Sequence, residues 1–315
     1  MPLTQVLVHG ETLGATTEYS DNFLWRGWFS IAHMSGEIIS FVKERLDTQP
    51  KSIALLVTQA DGIDPVPDDD NRERRAVYHP NIYETYSAGV SDPLIMTALC
   101  TRDVVHPRFI LAPLDDESFA KGVYETLAER VHHVPWEQRE ARLFWRGKAS
   151  GEFHDNVRTR TVQALLDNPL ANVKLTWYEE HIQTEGLTDP ANSLAYQHGH
   201  RPFQDFLHYK YNLIIDGACI ASSLQWTLAS GCVPVLITHP GNDWWFKRYL
   251  CPMKHYVPVA YDLSDLEERL AWLVSHDEEA RTIAENAVEF SKYYLSAGFQ
   301  QHHLSNEIDR IVNAV

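Results

Sequence analysis

Residues 212–238 read NLIIDGACIASSLQWTLASGCVPVLIT. Asn212 to Ile215 form a short apolar run of buried-strand type that stops at Asp216-Gly217. A run of small residues follows, a helix is predicted over 221–230 up to Ser230-Gly231, and an apolar strand is predicted over 233–237. Strands alternating with helices in this way imply a parallel sheet covered on both faces. Small residues at a helix start let backbone N–H groups approach an anion, and the helix dipole favours negative charge there. Gly217 leaves that approach open, and Ser222 and Ser223 offer hydroxyl donors. The same spacing also suits a plain strand–helix turn with a glycine C-cap at Gly231. No GxGxxG fingerprint separates the two readings.

The pattern extends in both directions. Strands are predicted at 142–146, 173–178 and 255–259, with helices near 155–167 and 203–209. Leu263-Ser264-Asp265-Leu266-Glu267 reads as a capping box, with Ser264 as cap and Glu267 reaching back. Leu266, Leu270 and Leu273 then share one helical face, and helices over 277–292 and 299–314 close the chain. In the first half, residues 20–46 carry apolar side chains at helical spacing and end in a basic turn that suits the dipole. Strands are predicted at 53–57, 93–99 and 108–112, and a helix at 116–131. Residues 62–90 read as one long connection, of a length often functional in enzymes. The polar segment 132–141, with its proline, is the predicted interdomain link. The expected fold is therefore α/β, with two Rossmann-like lobes facing a cleft. One lobe spans 1–135 and the other 136–296, and the helix 297–315 packs back on the first. Such sheets bind ligands at the carboxyl ends of their strands.

Composition narrows the partners. The 315 residues suit two domains of about 150 each. A net charge of −16 argues against a nucleic-acid backbone or an anionic membrane surface as the main partner. A small anionic ligand then depends on local arginines. The opening MPLTQVLVHGETLG lacks the basic and apolar regions of a secretory signal, and no run of about 18 apolar residues occurs. The expectation is a cytoplasmic enzyme with no integral membrane segment. Cys100, Cys219, Cys232 and Cys251 lie far apart in sequence and are expected to be reduced. The pairs His132-His133, His198-Gly199-His200 and His302-His303 are too close for a helical metal site, and Asp68-Asp69-Asp70 reads as a solvated loop. Trp244 and Trp245 are a sugar platform or core, with at least one expected in the core.

Two further segments carry candidate chemistry. Leu143-Phe144-Trp145-Arg146-Gly147 is followed by Arg158 and Arg160 at a helix start. A departing diphosphate gathers negative charge as its glycosidic bond breaks, and fixed guanidinium groups stabilise that transition state. Such arginines are otherwise solvated helix residues. Asp61 ends a buried strand, where a carboxylate can take the proton of an attacking hydroxyl. Asp64 is the alternative base, and a turn aspartate capping its own loop is the other reading.

Taken together, these segments resemble family-90 glycosyltransferases, which include capsule-associated enzymes and protein O-glucosyltransferases. The resemblance runs from about 53 to 291 and is strongest in 205–291. It rests on DFLHYKYNLIIDG, ASSLQWTLASGCVPVLI and the long segment from Trp244 to Phe290 that contains HYVPV and DLSDL. Trp145-Arg146-Gly147 resembles the family's phosphate-side motif. LLVTQAD places the family's catalytic aspartate on Asp61, and Asp103-Val104-Val105-His106-Pro107 resembles another family element.

The resemblance implies a glycosyltransferase B-type fold and a UDP-glucose or UDP-xylose donor, with the acceptor on the 1–135 lobe and the nucleotide-sugar on the 136–296 lobe. It also implies no essential metal or other cofactor, and inversion at the anomeric carbon. The diphosphate would be held by Arg146, Gly147, Arg158 and Arg160 with Gly217, Ser222 and Ser223. The acceptor is expected to be a glycan, lipopolysaccharide or glycoprotein, in a bacterial or viral setting. Ser223 stands where many members carry arginine, and Ala221 where serine is common. A module that binds nucleotide-sugar or carbohydrate without turnover is the alternative function.

Overall fold

The computed structural model describes residues 5–9, 16–18, 36–49, 53–58, 62–63, 77–78, 81–113, 119–120, 122–129, 134–149, 151, 156–177, 203–217 and 220–314. In chain order the elements begin with β1 (Gln5–His9), β2 (Thr16–Glu18), α1 (Gly36–Asp47), β3 (Ala54–Thr58), β4 (Gly62–Ile63), β5 (Val77–Tyr78) and α2 (Asn81–Ser87). Next come β6 (Leu94–Ala98), β7 (Cys100–Arg102), β8 (Phe109–Leu111), α3 (Val123–Glu129), β9 (Glu140–Lys148), α4 (Val157–Ala164) and β10 (Ala171–Trp177). Then follow α5 (Phe203–Phe206), β11 (Tyr209–Ile215), α6 (Ser223–Leu228), β12 (Val233–Ile237), β13 (Asn242–Trp244) and β14 (Val257–Val259). The chain closes with α7 (Leu266–Ser275), α8 (Asp277–Tyr294) and α9 (Ala297–Asn313).

These elements form two α/β units. The first comprises Met1–Val123, Gly241–Arg248 and Tyr294–Val315. Its main sheet has the order β2-β1-β3-β6-β8, parallel throughout except for β2 at the edge. All five residues of β6 are buried, as a strand covered on both faces requires. From α2, Tyr83 packs on this sheet and donates its hydroxyl to Leu94 O at 2.8 Å. A smaller sheet runs β13-β7-β4-β5. Helix α9 packs against α1, and Arg45 and Asp309 pair at 2.5 Å.

The second unit comprises Tyr124–Pro240 and Tyr249–Tyr293. Its five strands are all parallel, in the order β10-β9-β11-β12-β14. Counted within the unit this is the doubly wound order 2-1-3-4-5, which reverses direction between β9 and β11. Six of the seven β11 residues and all five of β12 are buried. Such unbroken burial explains why both strands read as continuous apolar runs rather than alternating ones. Leu143, Trp145, Leu213, Ile215, Val233 and Val235 meet α4, α7 and α8 across one sheet face. Each fully buried aliphatic side chain there contributes about 1.5–3 kcal/mol.

Several expectations change against this frame. Of the helix predicted within 20–46, α1 starts at Gly36, and residues 20–35 lie outside the described residues. The connection 62–90 contains α2 and two short strands. The capping box does not form, because the turn before α7 tightens differently. Asp265 is the N-cap residue, Ser264 Oγ donates to Asp262, and Asp265 accepts from Ala260 N and pairs with Arg269. The polar segment 132–141 is packed where it is described. Trp136 is buried, and Arg139 donates to Val134 O, Ser230 O and Gly231 O. Arg139 thereby satisfies carbonyls just beyond the end of α6. Trp244 and Trp245 are both core residues. Cys100 is disulfide-bonded, whereas Cys232 and Cys251 are free thiols, so the expectation of four reduced cysteines fails. Distance along the chain hid a pairing that depends on distance in space.

A charged tie anchors the start of α8. Asp277 accepts from Lys210 Nζ at 2.6 Å and Trp136 Nε1 at 3.0 Å, with Lys210 lying over the Trp136 ring. Burial raises the Asp277 pKa, but the hydrogen bonds and charge of Lys210, with the Trp136 bond, hold it below 3.8. A depressed carboxylate stabilises fully above its unfolded pKa and loses that contribution as pH falls through the folded value. Asp277→Asn should therefore destabilise the protein at pH 6–7, with the difference from wild type shrinking towards pH 3. Urea titrations across that range measure it.

Candidate functional site

In the second unit the carboxyl ends of β9, β11, β12 and β14 converge, and the residues gathered there come from five separate segments. Arg158, in the first turn of α4, is the bridge. Its Nη1 donates to Lys148 O at 3.1 Å, at the end of β9. Its Nε donates to Ile215 O and Asp216 O at 3.2 Å each, and its Nη2 to Ile215 O at 3.0 Å, at the end of β11. The guanidinium thus spans the point where strand order reverses, the position at which open α/β sheets take their ligands. Its flank faces the Trp145 ring at 6.0 Å. Asn156 presets this placement by accepting from Arg158 N and Thr159 N as the N-cap of α4.

Two glycines keep the same spot narrow. Gly151 follows β9 with φ +114°, and a Cβ there would lie 2.9 Å from the carbonyl carbon of Gly217, which follows β11. Neither the backbone angle nor the space admits a side chain. Arg160, two residues beyond Arg158, donates Nη2 to Tyr261 O at 3.3 Å, past the end of β14. The two arginines therefore tie α4 to strands on both sides of it.

Asp216 organises the other rim. It is 1% exposed, and its Oδ1 accepts from Ala221 N at 3.2 Å. Its Oδ2 accepts from the Thr238 hydroxyl and from His239 N at 3.2 Å. One carboxylate thus joins the entry to α6 to the end of β12. A carboxylate stays buried only when such donors replace its water. Ser222 is the N-cap residue of α6 but its hydroxyl makes no capping bond, and Ser222 and Ser223 are half-buried. Gly231 adopts φ +70°, two residues after the C-cap Ala229, so the glycine requirement read at this turn is real.

The structure brings Arg158, Arg160, Gly217, Ser222 and Ser223 to this end of the sheet. It does not bring the Arg146 guanidinium there. Arg146 folds back over the Phe144 ring at 4.5 Å and donates to Asn172 O and Oδ1 at 2.6 Å each. There it lines a small recess with Glu140, Asp205, His208 and Tyr209. Gly147 is glycine because the Trp145 ring occupies the space that a Cβ would need. Asp61 and Asp64 lie outside the described residues. Sequence reasoning missed Asp216, Thr238, His239 and Asn156 as parts of the site. The signal for Asp216 was present, as a charged residue closing a fully apolar strand.

Removing the Asp216 carboxylate leaves three donors without their acceptor, and hydrogen bonds to charged groups are worth about 1.5–3 kcal/mol each. Asp216→Ala should lower stability by at least about 2 kcal/mol in denaturant titrations. Gly151→Ala should be destabilising as well, whereas Gly298→Ala, where an added Cβ meets nothing within 4 Å, should be neutral or stabilising by up to about 1 kcal/mol. Thermal melts of the two glycine variants give the comparison directly.

Comparison with known proteins fits this arrangement. The chain is 33% identical over 199 residues to protein O-glucosyltransferase 2 of Danio rerio, covering 62% of this chain and 37% of that protein. It is 33% identical over 175 residues to the uncharacterized protein 027R of Frog virus 3, covering 50% and 18% respectively. It is 27% identical over 164 residues to the O-glucosyltransferase LpsA of Dichelobacter nodosus, covering 51% and 46%. The chain thus spans less than half the length of these relatives. No helix among the described residues is long and apolar enough to cross a membrane. The profile of glycosyl transferase family 90 matches residues 99–299, well over half of the chain and the whole of the strand-end cluster around Arg158, and the chain belongs to that family.

Proposed function

We propose that this glycosyltransferase moves glucose or xylose from a UDP-sugar to an acceptor hydroxyl, with inversion at the anomeric carbon. The observation that carries the reading is Arg158, fixed across the strand-order reversal by carbonyls of Lys148, Ile215 and Asp216. A guanidinium held in advance needs no reorganisation as the leaving diphosphate gains charge, so it favours the transition state over the ground state. Arg160 adds a second positive charge two residues away, and the turn through Gly217 to Ser223 supplies backbone and hydroxyl donors. Arg146 serves in this reading as a strut between β9 and β10 that keeps Trp145 beneath Arg158. Gly147 contributes by admitting the Trp145 ring.

Asp61 is the proposed general base, on the strength of its motif. It takes the proton of the acceptor hydroxyl as that oxygen attacks the anomeric carbon from the face opposite the departing UDP. One displacement then forms the new glycosidic bond and breaks the old one, with the negative charge leaving on the diphosphate. The two arginines supply positive charge for that leaving group, in keeping with a metal-independent reaction. The acceptor is proposed to be a glycan, lipopolysaccharide or glycoprotein, in line with the names of the relatives.

Incubation with a panel of UDP-sugars and detection of released UDP tests the reading. UDP-glucose or UDP-xylose should be turned over; binding of UDP with no turnover of any donor would favour a non-catalytic module. Asp61→Asn should lower the transfer rate by roughly 10²–10⁴-fold with UDP affinity retained. Near-normal transfer by that variant would remove Asp61 from the mechanism. Arg158→Lys combined with Arg160→Ala should weaken UDP binding at least about tenfold, the equivalent of about 1.4 kcal/mol. Unchanged affinity in a folded double variant would remove both arginines from the site.

A further inference from the structure

The first unit has a cavity of its own, of about 260 Å³, walled by residues 104–106, β8, β13 and α9. One side is aromatic. His106 and Phe109 lie with ring centroids 4.5 Å apart, and Tyr83 backs both at 4.2 and 5.8 Å. Val105, 99% exposed, stands at the rim. Trp244 and Trp245 form part of the wall, both almost fully buried, and their indole N–H groups find no acceptor among the described residues.

The opposite side is ionic. Glu307 accepts from Arg248 Nη2 at 2.7 Å through one oxygen, and from Arg310 Nε and Nη2 at 3.0 and 2.9 Å through the other. Asp243 adds an exposed carboxylate, one oxygen of which accepts from Trp244 N. His303 stands beside Arg248 and is pushed down to about 4 by burial first and then by the Arg248 charge, which leaves it neutral near pH 7. Burial lowers His106 in the same direction. Two arginines against two carboxylates leave the lining with no net charge. A neutral lining with fixed donors, fixed acceptors and an apolar wall matches a polyhydroxylated ring and gives no preference to a phosphate. The volume falls just below the 300–1,000 Å³ typical of drug-sized ligands, so it suits one sugar ring and excludes a nucleotide-sugar.

We infer that this cavity in the first unit is a saccharide subsite that holds one neutral pyranose ring of the acceptor glycan. The assignment to an acceptor rests on the transferase reading above, while ring binding itself does not. The part-exposed His106, with Val104 and Val105, takes the apolar C–H surface of the ring, and the Asp243 carboxylate with the Arg248–Glu307–Arg310 group takes its hydroxyls.

Calorimetric titration of the full chain, without UDP, with methyl glucosides, methyl xylosides and short neutral oligosaccharides tests this. Inorganic phosphate serves as the anionic probe. At least one neutral glycoside should bind, and Asp243→Ala and His106→Ala should each weaken it tenfold or more while leaving UDP affinity at the wild-type value. Absence of binding at millimolar glycoside overturns the subsite. So does binding that both variants leave intact, or phosphate binding that they abolish. A loss of UDP affinity in the same variants overturns its separation from the donor end. Failure of every donor in the UDP-release assay would count against the transferase reading and leave the glycoside titration to stand or fall by itself.

Discussion

The candidate site depends on one guanidinium that bonds to two strands at once. Arg158 reaches Lys148 O at the end of β9 and Ile215 O and Asp216 O at the end of β11. Those strands are neighbours only because the sheet order reverses between them. A reversal opens a gap beyond the strand ends, since the helices that follow the two strands cover opposite faces. The arginine closes part of that gap with charge rather than with bulk. Its placement depends in turn on the Asn156 cap, on Trp145 beneath it and on the glycine pair that lets the two chain turns touch.

Asp216 complements that arrangement from the opposite side of β11. Arg158 takes the main-chain carbonyl of Asp216, while its carboxylate takes Ala221 N, the Thr238 hydroxyl and His239 N. A single residue therefore binds the arginine through its backbone and orders the donor turn through its side chain. Positive charge and backbone donors are then held in fixed places, the preorganisation on which the proposed diphosphate binding relies. The first unit shows a different electrostatic style. Over the whole cavity lining Arg248 and Arg310 are balanced by Glu307 and Asp243, which leaves directional hydrogen bonding rather than net charge as the selective force.

Much of the second unit was legible in the chain. Strand β12 lies where it was predicted, at 233–237, and the alternation of strand and helix gave the α/β class. That success has a local cause, because a strand buried on both faces must be apolar throughout and is therefore visible. Arg158, Arg160 and Gly217 were also readable, as charged or small residues at element ends. Arg146 misled for a related reason. It sits next to Gly147 in a motif that reads as phosphate-side, yet its direction is set by Asn172 and Phe144, one on the neighbouring strand and one two residues back. The capping box at Ser264 failed because Asp262 and Asp265 offered competing local bonds.

The sequence by itself determined the element types, the parallel architecture and a small set of candidate charged and small residues at element ends. These properties follow from hydrophobic periodicity and side-chain chemistry, which act over a few residues. The tertiary structure decided which of those residues meet. Arg158 and Ile215 lie 57 positions apart, and Arg248 and Glu307 lie 59 apart. Such encounters arise from strand order and helix packing, and no window of sequence contains both partners.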